Sequence, residues 1–293
     1  MWNRKRFLLL FDGKQLLLMT AKKAVPAWVI GEFIGTFILV FFGCGSVCAA
    51  VTTGAQVGIF QVAIIWGLGI AIAIHLTAAL SGAHLNPAVT ISFAAWSDFP
   101  KRLVPGYIIT QIMGAFGAAA LLHVIFGGAI VEFESKNGIV RGQPGSEASA
   151  MIYGEFYPNP QGRPLSEGHA DRMSPVRAFI AETVGTALLL LVILATTDEG
   201  NKHRPQILTA AMIGLTVTML ISLLGPLTMA CFNPARDFGP RLFSTFAGWG
   251  TVPFAVNGMG WLTVYIIAPI VGGLLGGGIY RVGLRPYYES GRE

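Results

Sequence analysis

Two Asn-Pro-Ala tripeptides, one in each half of the chain, carry the side chains best placed for hydrogen-bond chemistry. They are Asn86-Pro87-Ala88 and Asn233-Pro234-Ala235. Asparagine is a good helix N-cap and proline suits the first helical turn, so each tripeptide is predicted to begin a short helix. One such tripeptide is a weak signal because Asn-Pro commonly starts turns, whereas one in each half of a repeated chain is a strong signal.

The groups around these tripeptides predict a path for an uncharged hydroxylic molecule. The two asparagine amides would supply donors, and the carbonyls of the preceding segments, which we expect to be extended, would form a row of acceptors. These carbonyls belong to Gly82, Ala83, His84, Met229, Ala230 and Cys231. Each helix N-terminus carries about half a positive charge. A cation would therefore be repelled, while a neutral solute could exchange its hydrogen bonds with water for bonds with the protein.

Three charged residues in apolar surroundings are the other candidates. Arg236 directly follows the second tripeptide, and we interpret it as a pore-facing donor rather than as a residue that reaches the lipid headgroups. Glu32 and Glu182 lie well inside apolar segments. They either couple a carrier to protons or support the non-helical segments by accepting backbone N–H hydrogen bonds, and their symmetric placement favours support.

The composition indicates that membrane helices position these groups. Of the 293 residues, 53% are hydrophobic and 12% are charged, whereas about a quarter are charged in a soluble domain. Glycine is abundant, with 37 residues, and small residues bring membrane helices close together. The net charge of +5 comes from basic residues at the ends of apolar segments, so membrane topology explains it better than binding to nucleic acid.

Six apolar segments have about the 20 residues that crossing a bilayer requires. They cover residues 26–50, 58–80, 103–130, 175–197, 205–225 and 259–281. Two shorter segments, 86–97 and 233–246, are predicted to be half-spans. The positions of lysine and arginine put both termini in the cytoplasm and the mildly acidic, irregular loop 131–173 on the other side of the cell membrane.

The two halves of the chain repeat. Glu32-Phe33-Ile34-Gly35-Thr36 matches Glu182-Thr183-Val184-Gly185-Thr186 at an offset of 150 residues, and Asn86 matches Asn233 at an offset of 147. Because each half has three spans, an odd number, the second half enters the membrane from the opposite face. The sequence therefore predicts an all-α inverted repeat whose half-helices meet near the middle of the membrane.

These features resemble the major intrinsic protein family, the aquaporins and glycerol facilitators. The resemblance covers about residues 26–281 and rests on the two tripeptides, the Glu-x-x-Gly-Thr repeats and Arg236. It implies an aquaporin-like fold of six transmembrane helices and two re-entrant half-helices, assembled as a homotetramer. The expected location of this multi-pass protein is the cell membrane, here the bacterial inner membrane. Asp237, directly after Arg236, and Arg241, after Phe-Gly-Pro, are the residue types typical of the glycerol facilitator branch. Enzyme activity, cofactors and metals are not expected.

The resemblance also implies an outer constriction, or selectivity filter, of four residues. They are Trp66, Ile221, Ala230 and Arg236. Bacterial glycerol facilitators have Gly and Phe at the second and third positions, and the combination here resembles the filter of plant nodulin-type intrinsic proteins. Three apolar residues would face one arginine donor, an arrangement suited to a polyol with its C–H edge on the apolar wall and its hydroxyls on the polar side.

The implied domain organisation is one channel domain between two tails. The N-terminal tail is basic and cytoplasmic, and Met19 is an alternative start of the chain. The ranges are 1–23 for this tail, 24–282 for the channel domain and 283–293 for the C-terminal tail. The channel domain consists of a first half, 24–130, the external loop, 131–173, and a second half, 174–282.

The function implied by the resemblance is passive passage of glycerol or a similar small uncharged solute, with some water permeability and exclusion of ions and protons. The expected partners are that solute, water and membrane lipid. Three alternatives stay open. They are a water-dominant or broad small-solute channel (urea, ammonia, propanediol), a proton-coupled carrier, and a structural junction protein without flux.

Overall fold

The computed structural model describes residues 25–165 and 173–290, and the basic tail 1–23 lies outside them. In this part of the chain six helices are long and apolar enough to cross a membrane, and two short helices follow the asparagines. In chain order they are α1 (Ala27–Thr53), α2 (Ile59–Ser81), α3 (Pro87–Trp96), α4 (Val104–Lys136), α5 (Pro175–Thr197), α6 (Thr209–Thr228), α7 (Pro234–Ser244) and α8 (Gly260–Tyr288). The prediction of six spans and two half-helices is confirmed.

Two helices continue beyond the ends expected from hydropathy. α4 was expected to end at residue 130 and ends at Lys136, where Lys136 Nζ and Glu132 Oε1 form an i,i+4 ion pair 2.5 Å apart. The helical run that contains α8 reaches Ser290, although the last span was expected to end at residue 281. In α4, charged residues with good helix propensity extend the helix past the hydrocarbon, and hydropathy does not detect them.

A close glycine contact between α2 and α6 joins the two halves. Gly67 and Gly214 occupy equivalent positions at the same offset of 147 residues. A Cβ atom on either glycine would collide with the carbonyl oxygen of the other. Small residues allow helix backbones to approach this closely, so this symmetric pair of glycines lets the two halves pack tightly along α2 and α6.

Each half-helix packs mainly against the opposite half of the chain. α3 contacts α8, and α7 contacts α4. Ser92 Oγ donates to the Gly273 carbonyl at 2.9 Å, and Trp96 Nε1 donates to the Leu274 carbonyl at 2.9 Å. This exchange fixes both half-helices between full spans and brings their N-termini together.

The loop after α4 folds back onto the protein. It was expected to be irregular, and within the described residues it contains one short helix, Glu147–Ala150, in an otherwise irregular course. Residues 146–158 are nearly all buried. Trp249 Nε1 donates to Ser149 Oγ at 2.9 Å. The loop is therefore a packed layer over the ends of the helices on one side of the membrane, called the loop side below.

Candidate functional site

The two asparagines cap the half-helices. Asn86 Oδ1 accepts the N–H of Ala88 at 2.8 Å, and Asn233 Oδ1 accepts the N–H of Ala235 at 3.0 Å. A proline occupies the first turn of each helix, where it removes no hydrogen bond because the first N–H groups of a helix lack internal partners. The sequence thus starts α3 and α7 at equivalent places.

The side-chain amides also join the two half-helices across the centre of the molecule. Asn86 Nδ2 donates to the Phe232 carbonyl at 2.8 Å, and Asn233 Nδ2 donates to the Leu85 carbonyl at 2.8 Å. Each amide nitrogen carries two hydrogens, and this contact uses one of them. The other hydrogen of each asparagine is the one available to a solute.

The backbone before each tripeptide is not extended, contrary to the expectation from the sequence. It enters the left-handed region at equivalent positions in both halves. These are Ala83 (φ 51°), Leu85 (φ 54°), Ala230 (φ 60°) and Phe232 (φ 52°). Left-handed backbone costs an ordinary residue about 1–2 kcal/mol, so the surroundings must hold it.

Glu32 holds the first of these loops. Its carboxylate accepts the N–H of His84 at 3.0 Å and the N–H of Leu85 at 2.7 Å. Gln111 Nε2 donates to the same carboxylate at 2.7 Å. Glu32 is fully buried, and these donors compensate for the removal of its charge from water.

Glu182 makes the equivalent contacts in the second half. It accepts the N–H of Cys231 at 3.0 Å and the N–H of Phe232 at 2.9 Å. Thr228 Oγ1 donates to it at 2.6 Å. The two carboxylates therefore hold the two strained loops by the same geometry.

The glycines of the two Glu-x-x-Gly-Thr repeats make room for the loop side chains. A Cβ atom on Gly35 would overlap the Leu85 side chain, and one on Gly185 would overlap the Phe232 ring. Glutamate and glycine in each repeat therefore act together, because the carboxylate binds the loop backbone and the glycine admits the side chain of the same loop.

The imidazole of His84 packs inside the first half-helix loop. Its Nδ1 lies 3.2 Å from Thr90 Oγ1. Its ring centroid lies 4.9 Å from that of Phe93, 4.7 Å from Phe99 and 5.1 Å from Tyr107. The imidazole thus fixes the loop through rings and a hydroxyl while its residue lines the cavity.

A cavity of about 490 Å³ runs past the tripeptides. At one end it is lined by His75, Ile207 and Thr209, near the ends of the helices opposite the loop side. At the other end it is lined by the four residues predicted to form the filter, Trp66, Ile221, Ala230 and Arg236. Of the six residues expected to present carbonyls, Gly82, Ala83, His84, Ala230 and Cys231 line it, whereas Met229 uses its Sδ to accept the N–H of Phe156 at 3.2 Å.

Arg236 and Trp66 stack on each other. The guanidinium carbon of Arg236 lies 4.1 Å from the centroid of the Trp66 ring. No solute atom fits between groups at this distance, so the ring face that was expected to receive a polyol is occupied by the arginine. The other apolar residues that line the cavity at this level are Ile221 and Ala230. Because position 230 is an alanine and not a phenylalanine, Trp66 is the ring at this level on which the Arg236 guanidinium stacks.

The sequence model of one protein family, Major intrinsic protein, matches residues 19–280 of the chain. The chain belongs to this family. This major intrinsic protein is a passive channel and not an enzyme. It is 44% identical over 254 residues to the glycerol uptake facilitator protein of Pseudomonas aeruginosa, covering 86% of this chain and 87% of the relative.

Further similarities extend over most of this major intrinsic protein. It is 42% identical to the glycerol uptake facilitator protein of Escherichia coli K12, covering 90% of each chain. It is 41% identical to the propanediol uptake facilitator PduF of Citrobacter freundii, covering 88% of this chain and 92% of the relative. The X-ray structure of the aquaglyceroporin from Plasmodium falciparum matches with a TM-score of 0.76 and 28% identity, covering 90% and 98% of the two chains.

One acidic residue beside the predicted filter could not be assigned from the sequence. Glu155 was counted only within the acidic loop, yet it is fully buried and forms an ion pair with Arg236. A signal was present, because Glu155 is a single charge between aromatic residues in Tyr153-Gly154-Glu155-Phe156-Tyr157. An acid in such surroundings is costly without a partner, and the pattern therefore indicated a buried cation nearby.

Proposed function

We propose that this major intrinsic protein passes glycerol and similar small uncharged solutes, propanediol among them, with some water permeability. The single observation that carries the proposal is the cavity, which joins apolar walls to a row of hydrogen-bonding groups along one path. The names of the similar relatives, which are glycerol and propanediol uptake facilitators, support the same solute class.

A polyol suits this cavity because its two edges differ. Its hydroxyls can bind the loop carbonyls and the remaining asparagine hydrogens, while its C–H groups contact Ile221, Val217 and Leu189. A solute that leaves water must regain its hydrogen bonds or lose several kcal/mol. Water alone meets fewer partners along the apolar wall, so we expect a polyol to be favoured over water at the filter.

Ions are opposed by the centre of the path. The N-termini of α3 and α7 meet there, and each adds about half a positive charge. Half-helix dipoles together with an arginine are the known means of proton and cation exclusion in aquaporin-type channels. Each ion would also have to shed its water in a mainly apolar cavity. We therefore expect uncharged solutes to pass and ions to be excluded.

A proton-coupled carrier is not supported by the contacts of Glu32 and Glu182. Each carboxylate accepts two backbone N–H bonds from a strained loop. Protonation would weaken those bonds and release the loops, which suits a structural support rather than a group that titrates in every transport cycle. The alternative of a water-dominant channel is tested by comparing glycerol and water fluxes, as described below.

The assembly and placement of the protein are further parts of the proposal. Large apolar side chains remain exposed along the spans, for example Leu68, Val124, Met219 and Leu223. They would face lipid or a neighbouring subunit, which fits a homotetramer in a cell membrane. Basic residues at the span ends favour cytoplasmic termini.

Stopped-flow swelling of proteoliposomes tests the proposed solute. The purified full chain is exposed to an inward glycerol gradient and, separately, to a sorbitol gradient that reports water movement. We expect glycerol influx well above that of empty liposomes, linear in concentration and unable to exceed equilibrium. Water movement without glycerol movement would favour the water-channel alternative, accumulation driven by a pH gradient would favour a carrier, and no flux would favour a junction protein.

A further inference from the structure

The contacts of Glu155 point to a role in the filter that extends beyond the packing of its loop. Its side chain is 0% exposed and that of Arg236 is 6% exposed, and the two form an ion pair. Arg236 lines the cavity. The loop thus places a negative charge directly behind the positive charge that a solute meets.

The position of Glu155 is fixed through its backbone. Its N–H donates to Asp237 Oδ1 at 2.8 Å, and its carbonyl accepts a hydrogen bond from Arg241 Nη2. Asp237 and Arg241 are themselves paired, with Arg241 Nε 2.9 Å from Asp237 Oδ2. These two residues lie on α7, the helix that also carries Arg236. Two residues of α7 therefore fix the backbone of Glu155, whose side chain pairs with Arg236 on the same helix.

The guanidinium of Arg236 is held from two sides. Its flat face lies on Trp66 at 4.1 Å, and its Nη1 atom meets the Glu155 carboxylate. A guanidinium has five N–H donors in a rigid plane, so a ring on one face and a carboxylate at one edge fix its orientation. The remaining donors keep a constant direction toward the cavity.

Charge compensation follows from the same contact. An unpaired arginine next to a helix N-terminus would form an anion-binding site, because both carry positive charge and N–H donors. A carboxylate in contact with the guanidinium cancels most of that charge. The end of the cavity then offers donors to a hydroxyl group without attracting an anion.

We infer that Glu155 is a specificity-determining positioning residue of this channel, which orients Arg236 on Trp66 and prevents small anions from using the path. The inference rests on the proposed function in that it assumes a path for neutral solutes. Glu155 acts through Arg236, since the cavity lining includes Arg236 and not Glu155.

The test compares three variants of the full chain in proteoliposomes. Nitrate influx is measured under a nitrate gradient with a potassium ionophore to balance charge, and glycerol and water fluxes are measured on the same vesicles. Glu155→Gln removes the negative charge at nearly constant shape, and we expect nitrate influx to rise roughly tenfold because the arginine is left uncompensated. Glu155→Asp keeps the charge and should keep nitrate influx low while altering the glycerol-to-water ratio.

Glu134→Gln is the matched control. Glu134 belongs to the same side of the protein and is paired with Arg141, whose Nη2 lies 2.7 Å from Glu134 Oε2, but neither residue lines the cavity. This variant should leave nitrate influx unchanged. An equal rise in both glutamine variants would show general damage to the loop and overturn the inference.

The remaining outcomes are also decisive. A folded Glu155→Gln protein with the nitrate influx of the wild type overturns the inference. If Glu155→Gln does not fold, an unchanged glycerol-to-water ratio in Glu155→Asp overturns it instead. Absence of glycerol flux in the wild type contradicts the proposed function alone. The role of the ion pair is tested separately, by the nitrate influx of Glu155→Gln.

Discussion

Two parts of the protein use the same three residue types in nearly the same geometry. In the predicted filter, Arg236 lies over Trp66 and pairs with Glu155. In the loop layer, Arg141 lies over Trp249 and pairs with Glu134. Both guanidinium carbons are 4.1 Å from the tryptophan ring centroid. One set borders the cavity and the other does not, so the comparison separates packing from selectivity.

The hydrogen bonds of the two carboxylates differ. Glu134 accepts bonds from Arg141 Nη2 at 2.7 Å and from Ser149 Oγ at 2.8 Å. The Glu155 carboxylate pairs with Arg236, and the Cys231 thiol is its other side-chain partner among the described residues, a weaker donor than the Ser149 hydroxyl that bonds Glu134. A saturated carboxylate stabilises a loop, whereas an incompletely bonded one depends on a single cation. The filter pair is therefore the more sensitive of the two.

The largest effect is expected from removal of the filter arginine. Arg236→Ala leaves Glu155 buried without its cation, and breaking a buried pair in this way costs about 3–5 kcal/mol. The negative charge left at the end of the cavity should also admit cations such as potassium. Thermal unfolding in detergent and potassium flux in vesicles measure the two consequences.

The loop arginine provides the control for that prediction. Arg141→Ala should lower thermal stability less, because Ser149 still donates to Glu134, and it should leave potassium flux unchanged. The double variant Arg236→Ala with Glu155→Gln should recover part of the lost stability. Equal effects of Arg236→Ala and Arg141→Ala on both readouts would show that the two sets of residues are equivalent.

An aromatic ring added beside Arg236 should make the surroundings of this arginine more similar to those of Arg141 in the loop layer. Trp249 is surrounded by other rings, among them His123 and Tyr153, with centroids 6.0 Å and 5.4 Å away. Ile221→Gly with Ala230→Phe adds a ring beside Arg236 and removes a β-branched wall. We expect a several-fold higher glycerol-to-water permeability ratio, measured by stopped-flow swelling, since a ring face binds C–H groups better than a methyl group. An unchanged ratio would show that these residues do not line the constriction.

The smallest effect is expected at an exposed ion pair. Lys136 and Glu132 are 2.5 Å apart, with side chains 70% and 65% exposed. Water and salt screen such an exposed pair, and ordering two long side chains offsets most of the attraction, so Lys136→Ala should barely change the melting temperature and should not affect any flux. A large loss of stability here would contradict the view that burial distinguishes the pairs.

Much of the architecture could be predicted because the chain repeats. The common offset of Asn86 and Asn233 and of Gly67 and Gly214 predicts that equivalent residues meet at a pseudo-twofold axis, and the fold has this arrangement. Apolar segments of sufficient length predict the six spans. Local sequence carries these signals directly.

Two features of the site could not be predicted from local patterns. Ala83 and Leu85 adopt left-handed backbone that neither residue favours, because hydrogen bonds to Glu32, far away in the chain, override their preference. Glu155 reaches Arg236 through a loop whose path depends on backbone bonds to α7. In both cases a long-range contact decides the local geometry, and a single sequence does not reveal which distant residues meet.

The most direct test of the channel account is a comparison of solute permeabilities in one preparation of wild-type vesicles. Glycerol, potassium and nitrate fluxes are measured side by side against protein-free vesicles. A narrow path with a compensated filter predicts rapid glycerol passage and ion fluxes equal to those of the protein-free vesicles. Potassium or nitrate passage at a rate comparable to that of glycerol would contradict the account.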